Sequence, residues 1–122
     1  MDDAANAARQ TGPALEAAYQ FTLCLIPTVD KFPWRQKFVL GDRIEAAALD
    51  VLDALIAATY TRGRDAMLTN ANLGLEHLRV FMRLSRELRL IDGRRYEHAA
   101  RGLDDVGRLV GGWIKAQHAH AS

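Results

Sequence analysis

Residues 38–61 read FVLGDRIEAAALDVLDALIAATYT, a proline-free run bounded by Phe32-Pro33 before it and Arg62-Gly63-Arg64 after it. Leu40, Ile44, Val51, Leu55 and Ala58 recur at the 3.6-residue period of one helix face. No part of the run alternates with the period of two that a strand requires. A run of this length with this period predicts a helix from Phe38 to Thr61, and the rest of the chain can be divided from it by its glycines and prolines. Upstream, Pro13 follows Thr11-Gly12 and suits the first turn of a helix, because its missing N–H has no partner there in any case. That first helix is expected to reach Lys31. Pro27 should kink or end it by removing the bond to the carbonyl of Leu23. Phe32-Pro33 makes the turn that follows, since a residue before proline is steered away from helical angles.

Downstream, a third helix is predicted from Asp65 to Leu90. Asp92-Gly93 then punctuates the chain, with Asp92 as N-cap, and a fourth helix runs to Gln117. Four long helices joined by short connections predict an all-α, antiparallel, up-down-up-down four-helix bundle over residues 13–117. Residues 1–12 and 118–122 are read as a flexible N-terminal tail and a disordered C-terminal tail. In the fourth helix Tyr96, Ala99, Leu103, Val106, Val110, Trp113 and Ile114 share one side, and charged residues share the other.

The second and third helices carry a further apolar stripe each. Leu49, Leu52, Ile56 and Tyr60 lie beside the first stripe of helix two. Leu73, Val80, Leu84 and Ile91 flank Leu75, Leu78, Phe81, Met82 and Leu88 on helix three. Each pair of stripes spans more than the roughly 100° that a surface helix buries against its own core. Self-association accounts for the surplus, because large exposed apolar patches are rare on monomers. A broad internal core is the other reading.

Composition excludes several function classes. The 122 residues are 49% hydrophobic and 25% charged, which is the balance of a folded globular domain. No apolar run approaches the roughly 20 residues that span a bilayer. The opening MDDAANAARQTGP lacks the basic and apolar regions of a signal peptide, so no membrane partner is expected and the cytoplasm is the expected compartment. Cys24 is the only cysteine and is read as a small buried apolar side chain. Glu-x-x-His pairs for a di-iron bundle fail, since Gly74 and Arg95 stand three before His77 and His98. No zinc motif, paired cysteine or phosphate loop is present. Neither a catalytic residue, a metal ligand nor a cofactor is predicted. Gly111-Gly112 lowers helix propensity, so either a close backbone approach compensates or the helix frays there.

The net charge of +1 conceals an asymmetry. Residues 1–61 hold five Lys/Arg against eight Asp/Glu, and residues 62–122 hold eleven against seven. Arg94, Arg101, Arg108 and Lys115 recur every seven residues, forming one ridge of the fourth helix. Arg79, Arg83 and Arg86 form a second ridge on the third. The ridges are either a solvated face laced with local ion pairs or a partner surface in which arginine meets phosphate or an acidic protein patch.

Two strings carry a resemblance. The first, Phe32-Pro33 through Phe38, Leu40-Gly41 and Arg43-Ile44, has the form FPxxxxFxLGxRI. The second, Gly107-Arg108 through Gly111-Gly112-Trp113-Ile114-Lys115, has the form GRxxGGWIK. In this order and spacing the chain from about Leu25 to Lys115 resembles the accessory variability determinant (Avd) family of diversity-generating retroelements. The resemblance implies a four-helix protomer in a homopentameric barrel. It implies as partners the retroelement's reverse transcriptase and the template-repeat RNA, in mutagenic retrohoming whose polymerase chemistry belongs to the partner. The related ribosomal-RNA intervening-sequence proteins share the bundle, which leaves an RNA-binding or scaffolding oligomer as the alternative. The motif residues themselves read as structural. Phe32 and Pro33 set the turn. Leu40 and Gly41 let helix two start close against a neighbour. Arg43 stands at the unfavourable end of the helix dipole and therefore calls for an acidic partner, in the protomer or across an interface.

Overall fold

The computed structural model describes residues 12–121, so the tail expected over residues 1–12 lies, except for Gly12, outside the described residues. The described chain has four long helices and no strand: α1 (Pro13–Asp30), α2 (Asp42–Tyr60), α3 (Asp65–Glu87) and α4 (Gly93–Ala121). α1 packs on α2, α2 on α3, α3 on α4, and α4 back on α1, closing a ring. The core inside that ring comes from the predicted faces. Ile44, Val51, Leu55 and Ala58 of α2, Leu75, Leu78 and Met82 of α3, and Leu103, Val106 and Val110 of α4 are all buried. Thr22 and Ser85, the buried polar side chains, return their hydroxyls to the carbonyls of Ala18 and Phe81, each at 2.8 Å. Such back-bonding satisfies a hydroxyl inside an apolar core without a second partner.

Several boundaries differ from expectation. α1 runs through Pro27 to Asp30 rather than ending at it, and Pro27 is exposed, so its ring meets solvent and not a neighbouring helix. Helical structure precedes Phe38, with one turn at Trp34–Gln36 and a π turn at Lys37–Gly41 that leads into α2. Leu40 and Gly41, at the end of the π turn, are both buried, and a Cβ on Gly41 would stand 2.8 Å from Cγ1 of Val29, so α1 packs closely on this turn. α3 ends at Glu87, three residues before Leu90. Arg89 adopts φ 60°, and the N–H of Leu90 donates to the carbonyl of Ser85 at 2.8 Å, the left-handed reversal that ends many helices. The reversal turns Ile91 into the core, 6% exposed, while Leu88, before it, keeps the exposed phase of Leu84 at 54%, opposite to their sequence placements.

Asp92 caps α4 as its spacing requires, with Oδ1 accepting from the N–H of Arg95 at 2.8 Å. α4 continues to Ala121, beyond the predicted end at Gln117. His118 lies 3.8 Å from the Asp65 carboxylate at the start of α3. Helix persists through Gly111-Gly112, where a Cβ would meet nothing within 4 Å, so neither fraying nor close backbone approach occurs in this protomer.

Candidate partner surfaces

The second apolar stripes are exposed except at Leu52, half-buried against the core, and Ile91, buried. On α2, Leu49, Ile56 and Tyr60 are 48%, 46% and 82% exposed. At about 100° per residue they lie on the side of α2 nearer α1, and the exposed Tyr19 and Leu23 lie on the matching side of α1. On α3, Leu73, Val80, Leu84 and Leu88 line the back of the helix, away from the core. A third apolar group stands at the α1–α2 turn, where Trp34 packs edge-on against Phe38 with ring centroids 4.9 Å apart, and both stay exposed.

The cations divide into two kinds. Arg94, Arg101, Arg108 and Lys115 all point away from the core of α4 and are exposed. Arg101 has only Glu97 of its own helix at 4.0 Å, and Arg108 only Asp105 at 3.4 Å. Arg94 and Lys115 have no ion pair among the described residues. Exposed pairs of this type hold their cations weakly. The α3 arginines are placed differently. Arg79 pairs with Glu76, donates to the Leu103 carbonyl at 3.4 Å and approaches Asp104 at 3.8 Å. Gly107 of α4 lies under this guanidinium, with a Cβ there standing 2.6 Å from its mobile Nη2. Arg86 stacks over Tyr96 at 4.9 Å, a cation–π contact that also ties α3 to α4. Arg83 is exposed and reaches only Glu87, at 3.4 Å. The i, i+4, i+7 spacing thus set Arg79, Arg83 and Arg86 on one side of α3, but two of the three meet α4 within the chain.

The motif residues are structural in their surroundings. Phe32 is 4% exposed and Leu40 7%, and Pro33 (φ −53°, ψ 147°) starts the turn into Trp34–Gln36. Arg43 is exposed and has no acidic partner among the described residues. Glu45, one turn into α2, holds its carboxyl above the usual carboxylate value. Partial burial is the main cause, and the charges of Asp30 and Asp42 add to it against the opposing pull of Lys37.

One cleft had no sequence signature. A groove of about 710 Å³ runs between α1 and α4, floored by Phe21, Leu25 and Ala99 and rimmed by Arg94, Arg95 and Arg101. Cys24 lies in its wall and is exposed, which corrects the buried reading of that residue. Its position on α1 faces the groove beside the α1–α4 contact rather than the bundle centre. No group of three or more metal-ligating side chains occurs among the described residues. No described helix is long and apolar enough to cross a membrane.

Comparison with curated proteins and with solved structures gives no match. A family model does match, over residues 15–117, which takes in α1, α2, α3 and most of α4, and the chain therefore belongs to the bAvd-like family.

Proposed function

We propose that the chain is a non-enzymatic accessory protein of a diversity-generating retroelement, binding the reverse transcriptase and template RNA during mutagenic cDNA synthesis. The observation that carries this reading is the α4 ridge. In a bAvd-like chain, Arg94, Arg101, Arg108 and Lys115 stand exposed on one line with no ion pair beyond their own helix among the described residues. Arg83 extends that surface onto α3, while Arg79 and Arg86 hold α3 against α4 beneath it. Arginine is suited to either partner, since its planar fork meets carboxylate or phosphate with two bonds.

The protomer in this reading is an antiparallel up-down-up-down bundle. Paired contacts running in opposite senses along neighbouring helices support it: Arg86 with Tyr96, Arg79 with Leu103, and Asp65 with His118 between α3 and α4. Five protomers form a barrel in the cytoplasm, and the exposed stripes of α1–α2 and α3 supply the apolar surface that copies bury against each other. Repetition around an axis multiplies the ridge, so a modest surplus per chain produces a strong local potential.

The experiment is purification with and without the reverse transcriptase encoded beside the gene. Light scattering should give about five times 13.6 kDa for the chain alone, and the enzyme with its RNA should co-elute with that assembly. An oligomer that binds RNA but no reverse transcriptase would instead favour a bundle of the ribosomal-RNA intervening-sequence type.

A further inference from the structure

We propose that the α1–α2 turn is a stacking platform for single-stranded nucleic acid, with unpaired bases on Trp34 and Phe38 and phosphates on Lys31, Arg35 and Arg43. Trp34 is 78% exposed and Phe38 57%, although both rings are large and apolar. Their edge-on contact, with centroids 4.9 Å apart, covers at most one face of one ring. The pair is thus held in place while π surface stays open. The base beneath it is fixed. Phe32, Leu40 and Gly41 are buried, and the N–H of Lys37 donates to the Pro33 carbonyl at 2.9 Å. Both rings are therefore presented in advance, which lowers the cost of association.

The charges around the rings call for a polyanion. Residues 1–61 are acidic overall, yet four of their five Lys/Arg, namely Lys31, Arg35, Lys37 and Arg43, fall in residues 31–43, where Asp42 is the one acid. Lys37 is taken by Asp30 at 3.4 Å. Lys31, Arg35 and Arg43 are exposed and have no ion pair among the described residues. Arg94 and Arg95 of α4 stand at the same end of the bundle, since Arg95 lies 3.3 Å from Thr28 near the end of α1. An acidic protein patch would answer the cations but not the two bare rings. A second copy meeting this turn with its own turn would set like charges together. A single strand answers both features, because each nucleotide brings a phosphate and every base has a π face. A duplex hides those faces in its own stack. The site extends the proposed RNA binding beyond the α4 ridge and rests on that reading only for the source of the strand, template RNA or its cDNA.

The chain has two tryptophans, so Trp113→Phe leaves Trp34 as the sole indole, and its emission then reports on this turn. The full-length Trp113→Phe protein, without reverse transcriptase, is titrated with oligoadenylate of about ten nucleotides, as RNA and as DNA. Either strand should quench Trp34, and the matching duplex should not. A stronger response to RNA assigns the platform to the template, and a stronger response to DNA assigns it to the cDNA. By fluorescence anisotropy of a labelled strand, Trp34→Ala should bind at least tenfold more weakly than wild type, while Trp34→Phe, which keeps a π face, stays within threefold. Changing Lys31, Arg35 and Arg43 to Gln should lower the slope of log affinity against log salt by about 2, at roughly 0.7 for each single-strand phosphate contact. Trp34 is exposed, so Trp34→Ala should match the wild type in helix content and in mass by light scattering. The reverse transcriptase is absent, so failure here leaves the ridge's claim on that enzyme standing, and failure of the ridge leaves Trp34 quenched. Unchanged affinity in Trp34→Ala overturns the proposal, and so does a smaller mass for that variant, because another copy would then cover the rings. Trp34 emission that responds to phosphatidylglycerol vesicles and not to either strand overturns it as well.

Discussion

A close helix–helix approach in the core is testable with one added methyl group. Gly74 of α3 faces Val51 of α2, and a Cβ built on it would stand 2.6 Å from the Val51 Cγ2. Val51 is 2% exposed and cannot swing into solvent, so the Gly74→Ala side chain must push either that methyl or the helix itself. Overpacking of this kind costs about 1–3 kcal/mol, while alanine in place of a mid-helix glycine returns about 1 kcal/mol of helix propensity. The net expectation is a loss of about 1 kcal/mol, or roughly 4 °C in Tm for a domain of this size. In a Val51→Ala background the clash is removed, and the nearest atoms to the new Cβ become the Ala47 carbonyl oxygen at 3.8 Å and the residue 51 Cβ at 3.9 Å. There Gly74→Ala should stabilise by about 1 kcal/mol, the propensity gain alone. The sign reversal, a coupling of about 2 kcal/mol, is read from a double-mutant cycle in urea at fixed protein concentration. Stabilisation by Gly74→Ala in both backgrounds would refute the reasoning, because α2 and α3 would then not be in contact at this point.

Leu49→Asp with Ile56→Asp places two charges on residues already about half exposed, so the protomer should stay helical while the assembly loses its apolar interface. Light scattering should show the mass falling toward 13.6 kDa, and a variant as large as the wild type would remove α2's second stripe from the interface. Glu45→Gln bears on pH. Burial and the nearby aspartates raise the Glu45 carboxyl in the folded chain above its ordinary value of 4.5, so its ionised form destabilises the fold at neutral pH, and this cost vanishes as pH falls through the folded value toward 4.5. The variant should therefore melt higher than wild type at pH 7, with the gap closed by the time pH reaches 4.5, and a gap that widens in acid would contradict the assignment.

The helices and most of the core were legible because they depend on local rules. Glycine and proline punctuate the chain, Asp92 caps α4, and a 3.6-residue period marks the faces that Ile44, Leu55, Leu78 and Val110 bury. What was not legible depends on contacts between helices. At the π turn Lys37–Gly41, Gly41 lies against Val29 on α1, a contact no local rule connects to it. The spacing of Arg79, Arg83 and Arg86 places them together on α3 but does not tell that Arg79 reaches the Leu103 carbonyl and Arg86 stacks on Tyr96 of α4. Cys24 was assigned by the general burial habit of free cysteine, whereas its exposure follows from the α1–α4 groove, a product of tertiary packing. Ile91 turns into the core because the left-handed Arg89 shifts the phase of the chain after it, and an arginine gives no warning of φ 60°.

The central claim is that the α4 ridge is the surface a reverse transcriptase–RNA complex recognises. Its most direct test is a binding titration of that complex with wild type and with Arg101→Glu/Arg108→Glu, after light scattering has shown equal mass for the two proteins. Both arginines are exposed and pair only within α4, so their reversal should leave the bundle intact. The account predicts at least tenfold weaker binding by the double variant, about 1.4 kcal/mol, with a wild-type affinity that falls steeply with salt if RNA phosphates make the contact. Unchanged affinity at low salt would contradict it and leave the ridge a solvated face.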